Sequence, residues 1–132
     1  MQEILNEPYV TIAFDSDLKL IKITWLGNQD SNQYRRAFNI ALAFASTAKI
    51  ELFLSDIRNQ TIVSPDDRKW FQTSALPRAI NGGLKKAAVV FNGNVFKKYY
   101  LNNIMDSISK FGIPLKFFNS DEEAINWLKT ND

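Results

Sequence analysis

The chain contains no cysteine and no histidine. The first absence excludes disulfides, thiolate chemistry and cysteine-based metal sites. The second removes the commonest general base and the commonest metal ligand together. No apolar run approaches the about 20 residues needed to cross a bilayer. The segment Met1-Gln2-Glu3-Ile4-Leu5-Asn6-Glu7-Pro8 is acidic and lacks an apolar run, so it does not read as a signal peptide. A net charge of +2 is too small to imply nucleic acid, and no groove-reading motif is present. No pair of carboxylates is spaced for acid–base work, and nothing calls for a metal or a cofactor. The expectation is a non-enzyme without a cofactor. The lack of cysteine fits a cytoplasmic setting.

What is present is globular. Hydrophobic residues make up 45% and charged residues 23%, with ten Phe, four Tyr and three Trp to fill a core. The length of 132 residues fits one domain spanning 1–132. Tyr9–Phe14 and Leu18–Trp25 are rich in β-branched and aromatic residues. Asp15-Ser16-Asp17 lies between them as turn chemistry, which predicts a β-hairpin with its lysines facing solvent. Asp30 and Gln33 occupy capping-box positions. Tyr34, Ala37, Phe38, Ala41, Leu42, Ala45 and Ala48 then recur at helical spacing, so the helix should end near Lys49. Leu52-Phe53-Leu54 is apolar on both faces, as a central parallel strand over 51–57 requires.

Ser64-Pro65-Asp66-Asp67 starts a second helix, with Trp70, Phe71, Ser74 and Ala75 inward and a kink or break expected at Pro77. Lys86–Phe91 is a fourth strand. A third helix carries the stripe Phe96, Tyr99, Tyr100, Ile104, Ile108 and Phe111, ended by Gly112 and Pro114. Leu115–Phe118 is a fifth strand. Ser120 to Glu123 forms a capping box that opens a last helix, with Ala124, Ile125, Trp127 and Leu128 inward. The order β-β-α-β-α-β-α-β-α predicts an α/β fold: a mixed sheet of about five strands, mainly parallel, with about four helices. The hairpin supplies the one antiparallel strand.

In this order, and in Ile23-Thr24-Trp25, Leu54-Ser55-Asp56-Ile57-Arg58, Phe117-Phe118-Asn119-Ser120, Glu123-Ala124 and Trp127-Leu128, the chain resembles the STAS-like family. That family has the SpoIIAA-like fold of anti-sigma-factor antagonists, and the likeness is to its short Bacteroidetes members. The resemblance implies a small cytoplasmic regulatory module that acts through a protein partner. In the antagonist branch a Ser at the start of the helix after the third strand is phosphorylated, and here that region holds Ser64. Its longer loop and Pro65 depart from the usual Asp-Ser-Ser/Thr-Gly arrangement. The fold also resembles CRAL-TRIO-type lipid carriers, which implies a small apolar or anionic, lipid-like ligand as the alternative.

Asp56 and Arg58 fall at the carboxyl end of the central strand, where open α/β sheets gather ligands, so they can orient an anion or a partner. The plainer reading is a structural ion pair. Thr61 and Ser64 are candidate phosphorylation sites, although N-capping alone accounts for Ser64. From Arg68 to Lys98 the chain holds Arg68, Lys69, Arg78, Lys85, Lys86, Lys97 and Lys98 and no acid. A shared patch of these cations would attract phosphate, anionic lipid or an acidic protein surface, whereas scattering over several faces would give no patch. Phe96, Tyr99, Tyr100 and Trp70 can line an apolar pocket or belong to the core. The amides of Asn92-Gly93-Asn94 offer a weak anion site, and Asp121-Glu122-Glu123 is helix-start electrostatics. Exposed apolar surface on the hairpin or last helix would favour a homodimer.

Overall fold

The computed structural model describes residues 1–92, 102, 110 and 112–130. Their elements are β1 (Gln2–Glu7), β2 (Val10–Asp15), β3 (Leu20–Gly27), α1 (Ser31–Ala45), β4 (Leu52–Gln60), α2 (Pro65–Trp70), a π-helical turn (Phe71–Ala75), α3 (Leu76–Asn81), β5 (Lys86–Val90), β6 (Leu115–Phe118) and α4 (Asp121–Leu128). The strands lie side by side in chain order in one six-stranded sheet. β3 to β6 are parallel, and β2 alone runs against its neighbours. The α/β class and the single antiparallel strand are as expected. The anticipated third helix, with Phe96 to Phe111, lies outside the described residues, as do Lys97 and Lys98.

Four details depart from the sequence reading. The sheet has a sixth strand, β1, paired with β2 at the edge. Its Gln2, Glu3 and Asn6 are exposed, and only Ile4 and Leu5 rest against the core. An edge strand that buries so little carries no alternating pattern to detect. Helix α1 stops at Ala45 because the Ser46 and Thr47 hydroxyls donate back to the carbonyls of Ala43 and Phe44. Pro77 does not break the helical run, which continues to Asn81. It lacks the N–H that Thr73 O would accept, and the chain widens into the π turn just before it. Lys22, expected in solvent, is half-buried beneath α4.

Capping follows the sequence. The Asp30 carboxylate accepts from Gln33 N and the Gln33 side chain accepts from Asp30 N. Ser64 Oγ accepts from Asp67 N, and Ser120 Oγ from Glu123 N, the latter as a simple N-cap where the sequence predicts a capping box. Each such cap contributes about 1 kcal/mol.

The sheet separates two cores. On one face Val10, Ile12, Phe14, Ile21, Ile23 and Trp25 meet α1 and the α2–α3 run. On the other, Leu20, Leu54, Ala88 and Val90 meet Ala124 and Leu128 of α4. Alternation along β4 assigns Phe53 to the first and Leu54 to the second.

Candidate functional site

Asp56 and Arg58 do not end their strand, because β4 continues to Gln60. They sit where β5 stops: Asp56 is opposite Val90, and Asn92 Nδ2 donates to the carbonyl of Arg58. Asp56 is 5% exposed. Its carboxylate accepts from Arg58 Nε at 3.0 Å, Arg58 Nη2 at 2.7 Å and Arg58 backbone N at 3.1 Å. Burial pushes this carboxyl up. The side-chain and backbone hydrogen bonds of Arg58, with the charges of Arg58 and Lys22, outweigh burial and hold it below its ordinary value. Arg58 Nη2 also reaches Asp121 Oδ1 at 3.3 Å, and Lys22 pairs with Asp121 Oδ2. Asp121 is the first residue of α4, so this cluster clamps the helix N-terminus onto the sheet.

The basic stretch divides among separate tasks. Lys86 is 6% exposed, and its ammonium donates to Trp127 O at 3.0 Å and to Thr130 O and Oγ1 at 2.9 Å. It also lies 4.5 Å from the Trp127 ring centroid. It satisfies carbonyls at the C-terminus of α4, favourable for a cation at the negative end of a helix. Lys85 pairs with Glu51 at 2.6 Å, beside Lys19 at 3.3 Å and Lys49 at 3.8 Å. Lys85 leads these partners in holding the Glu51 carboxyl at about 2, against a smaller opposing effect of burial. Lys69 is exposed and Arg68 half-buried on α2, and Arg78 lies on α3.

Thr61 and Ser64 flank the β4–α2 loop on the opposite side of the sheet from α4. Thr61 is bound to the rim of β3, its N–H and hydroxyl both donating to Gly27 O. Ile62 in this loop is 61% exposed. Beside it is a cluster the sequence did not signal: buried Asp67 accepts from Ser31 Oγ at 2.9 Å and from Arg35 Nε at 3.1 Å, joining the N-termini of α1 and α2.

A concave feature lies elsewhere. Between α1, α3 and the amino ends of β3 and β4 is a pocket of about 520 Å³. Ile21, Ile23 and Phe53 form its floor, Phe38 and Phe71 one wall, and Ala41, Ala45, Ala75 and Ala79 face one another across it. The volume falls within the range of small-molecule sites. Small side chains on both helices leave the space open. At the carboxyl end of the same face bulky rings close it: Trp25 stacks on Tyr34 at 5.1 Å and packs against Phe38 at 5.3 Å. Exposed Asn39, Ser46 and Arg78 mark the opening. Of the pocket residues, the sequence identifies Arg78 as a cation, Phe38, Ala41, Leu42 and Ala45 as the stripe of α1, and Phe71 and Ala75 as inward-facing on the next helix. The signal for a cavity was the Ala41/Ala45 and Ala75/Ala79 spacing on two helices, which shows only once those helices are known to be neighbours.

No family model matches the sequence, and no curated protein matches it. A solved structure does match the fold: an uncharacterized protein of the DUF3478 family from Shewanella loihica PV-4, itself described as SpoIIAA-like. The TM-score is 0.66 over 94% of this chain and 97% of that one, at 16% identity. The chain therefore has a SpoIIAA-like, STAS-like fold.

Proposed function

We propose that the chain is a non-catalytic binding module of STAS-like type that holds a small apolar or amphipathic ligand between α1 and α3. The pocket carries this reading. A concavity of about 520 Å³ lined mainly by alanine, isoleucine and phenylalanine falls within the size range of small-molecule sites. Among the described residues, no helix is long and apolar enough to cross a membrane. Native mass spectrometry of the purified protein is expected to show a retained or added apolar compound. The adduct is lost when Ala41→Phe fills the space. Equal binding by the filled variant overturns the reading.

A second reading is favoured by the exposed Ile62 and by the fold. The loop from Thr61 to Ser64 would then be the contact surface for a protein partner, and Asp56 and Arg58, paired on the other side of the sheet, would lie outside it. Ile62→Asp should abolish a pulldown that Ala41→Phe leaves intact.

A further inference from the structure

We infer that the pocket takes an amphiphile with a single anionic head, the chain lying among Ile21, Phe38, Phe53 and Phe71 and the head on the guanidinium of Arg78. This rests on the ligand-binding reading above and specifies its ligand. Among the described residues lining the space, Arg78 alone is charged. Its Nε donates to Ser74 O at 3.2 Å and its Nη2 to Asn39 Oδ1 at 3.0 Å. These two bonds stretch the side chain from α3 to α1, its guanidinium lying 6.0 Å from the Trp70 ring centroid, and among the described residues they leave three of its five N–H donors without a hydrogen bond. Among the described residues no carboxylate lies within ion-pair distance of it. A guanidinium held in place with free donors matches one carboxylate, which it can engage through two parallel bonds.

The opening lies beside the C-termini of α1 and α3, whose carbonyls would ordinarily repel an anion. Here five of those carbonyls already accept hydrogen bonds. Ala43 O and Phe44 O accept from the residues after α1, and Arg78 O, Ala79 O and Ile80 O accept from Gly82, Leu84 and Gly83. Among the described residues lining the opening, Arg78 supplies the one full charge. A neutral head would leave its donors unmatched, and a cationic head would be repelled.

The test is calorimetric titration of the purified chain with decanoate, decanol and decylamine, which share one chain length and differ in the charge of the head. Decanoate is expected to bind roughly tenfold more tightly than decanol, and decylamine more weakly than either. Arg78→Met, which keeps the apolar stem, should reduce decanoate to the affinity of decanol and leave decanol unchanged. Arg78 is exposed, and an unchanged melting temperature verifies that the variant folds. If all three compounds bind alike, or Arg78→Met leaves decanoate untouched, the head assignment is overturned while the pocket reading stands. If none binds, both fall.

Discussion

The two faces of the sheet are closed by different physics. Among the described residues the α4 face is covered by one helix of eight residues, with Ala124 and Leu128 buried and Ile125 and Trp127 packed beside them. This short helix adds charge at both ends to its apolar contacts: Arg58 and Lys22 on Asp121, and Lys86 on the last carbonyls. The opposite face is covered by α1 and the α2–α3 run and is held by rings and aliphatic chains. It has apolar surface to spare, and at its amino end it leaves a space unfilled. Where apolar contact is scarce, charged residues serve as fasteners. Where it is plentiful, the fold can keep a cavity.

The largest effect that sharpens this contrast is expected from Trp25→Ala. Trp25 is 1% exposed, and its Nε1 donates to Ser55 Oγ. Its loss should cost about 3–5 kcal/mol in denaturant unfolding, because the ring-packed end of the two-helix face cannot collapse around the gap. Next comes Lys86→Met, which keeps the stem and removes the ammonium. A loss of about 2 kcal/mol is expected, with amide exchange rising first in α4; a change below about 0.5 kcal/mol would show that apolar contact alone secures this helix.

Acid acts in the same direction on a smaller scale. Asp56 and Glu51 both have folded values below their unfolded ones, so their contributions are complete above the unfolded values and fade as pH falls. For Glu51 the window runs from 4.5 down to about 2. Melting temperature should drop through that range, and the drop should be shallower in Asp56→Asn and in Glu51→Gln. The smallest effect belongs to the cavity. Ala75→Leu should be neutral or stabilising by up to about 1 kcal/mol, the opposite sign to Trp25→Ala on the same face, whereas a clear destabilisation would mean the space is already closed to a larger side chain.

Much of this architecture was legible from local chemistry. The capping of Ser64 and Asp30, the two-sided apolar run of β4 and the inward stripe of α1 are each dictated by neighbours within a few residues. What escaped depends on distant partners. β1 is a strand because β2 offers it hydrogen bonds, not because of its own pattern. Lys22 alternates like a solvent-facing residue and is covered only because α4, a hundred residues on, brings Asp121 above it. Asp56 and Arg58 were recognisable as a pair. That their partner would be a helix N-terminus could not be read from β4.

The π turn before Pro77 sets the phase of everything that follows it. One extra residue in a helical run turns all later side chains by about 100°. Delete one residue from Phe71–Ala75 and the turn could relax into regular helix, but Arg78 and Ala79 would swing away from α1 together. The link between Arg78 and Asn39 that spans the opening is thus a matter of helical timing, decided several residues upstream of the groups it brings together.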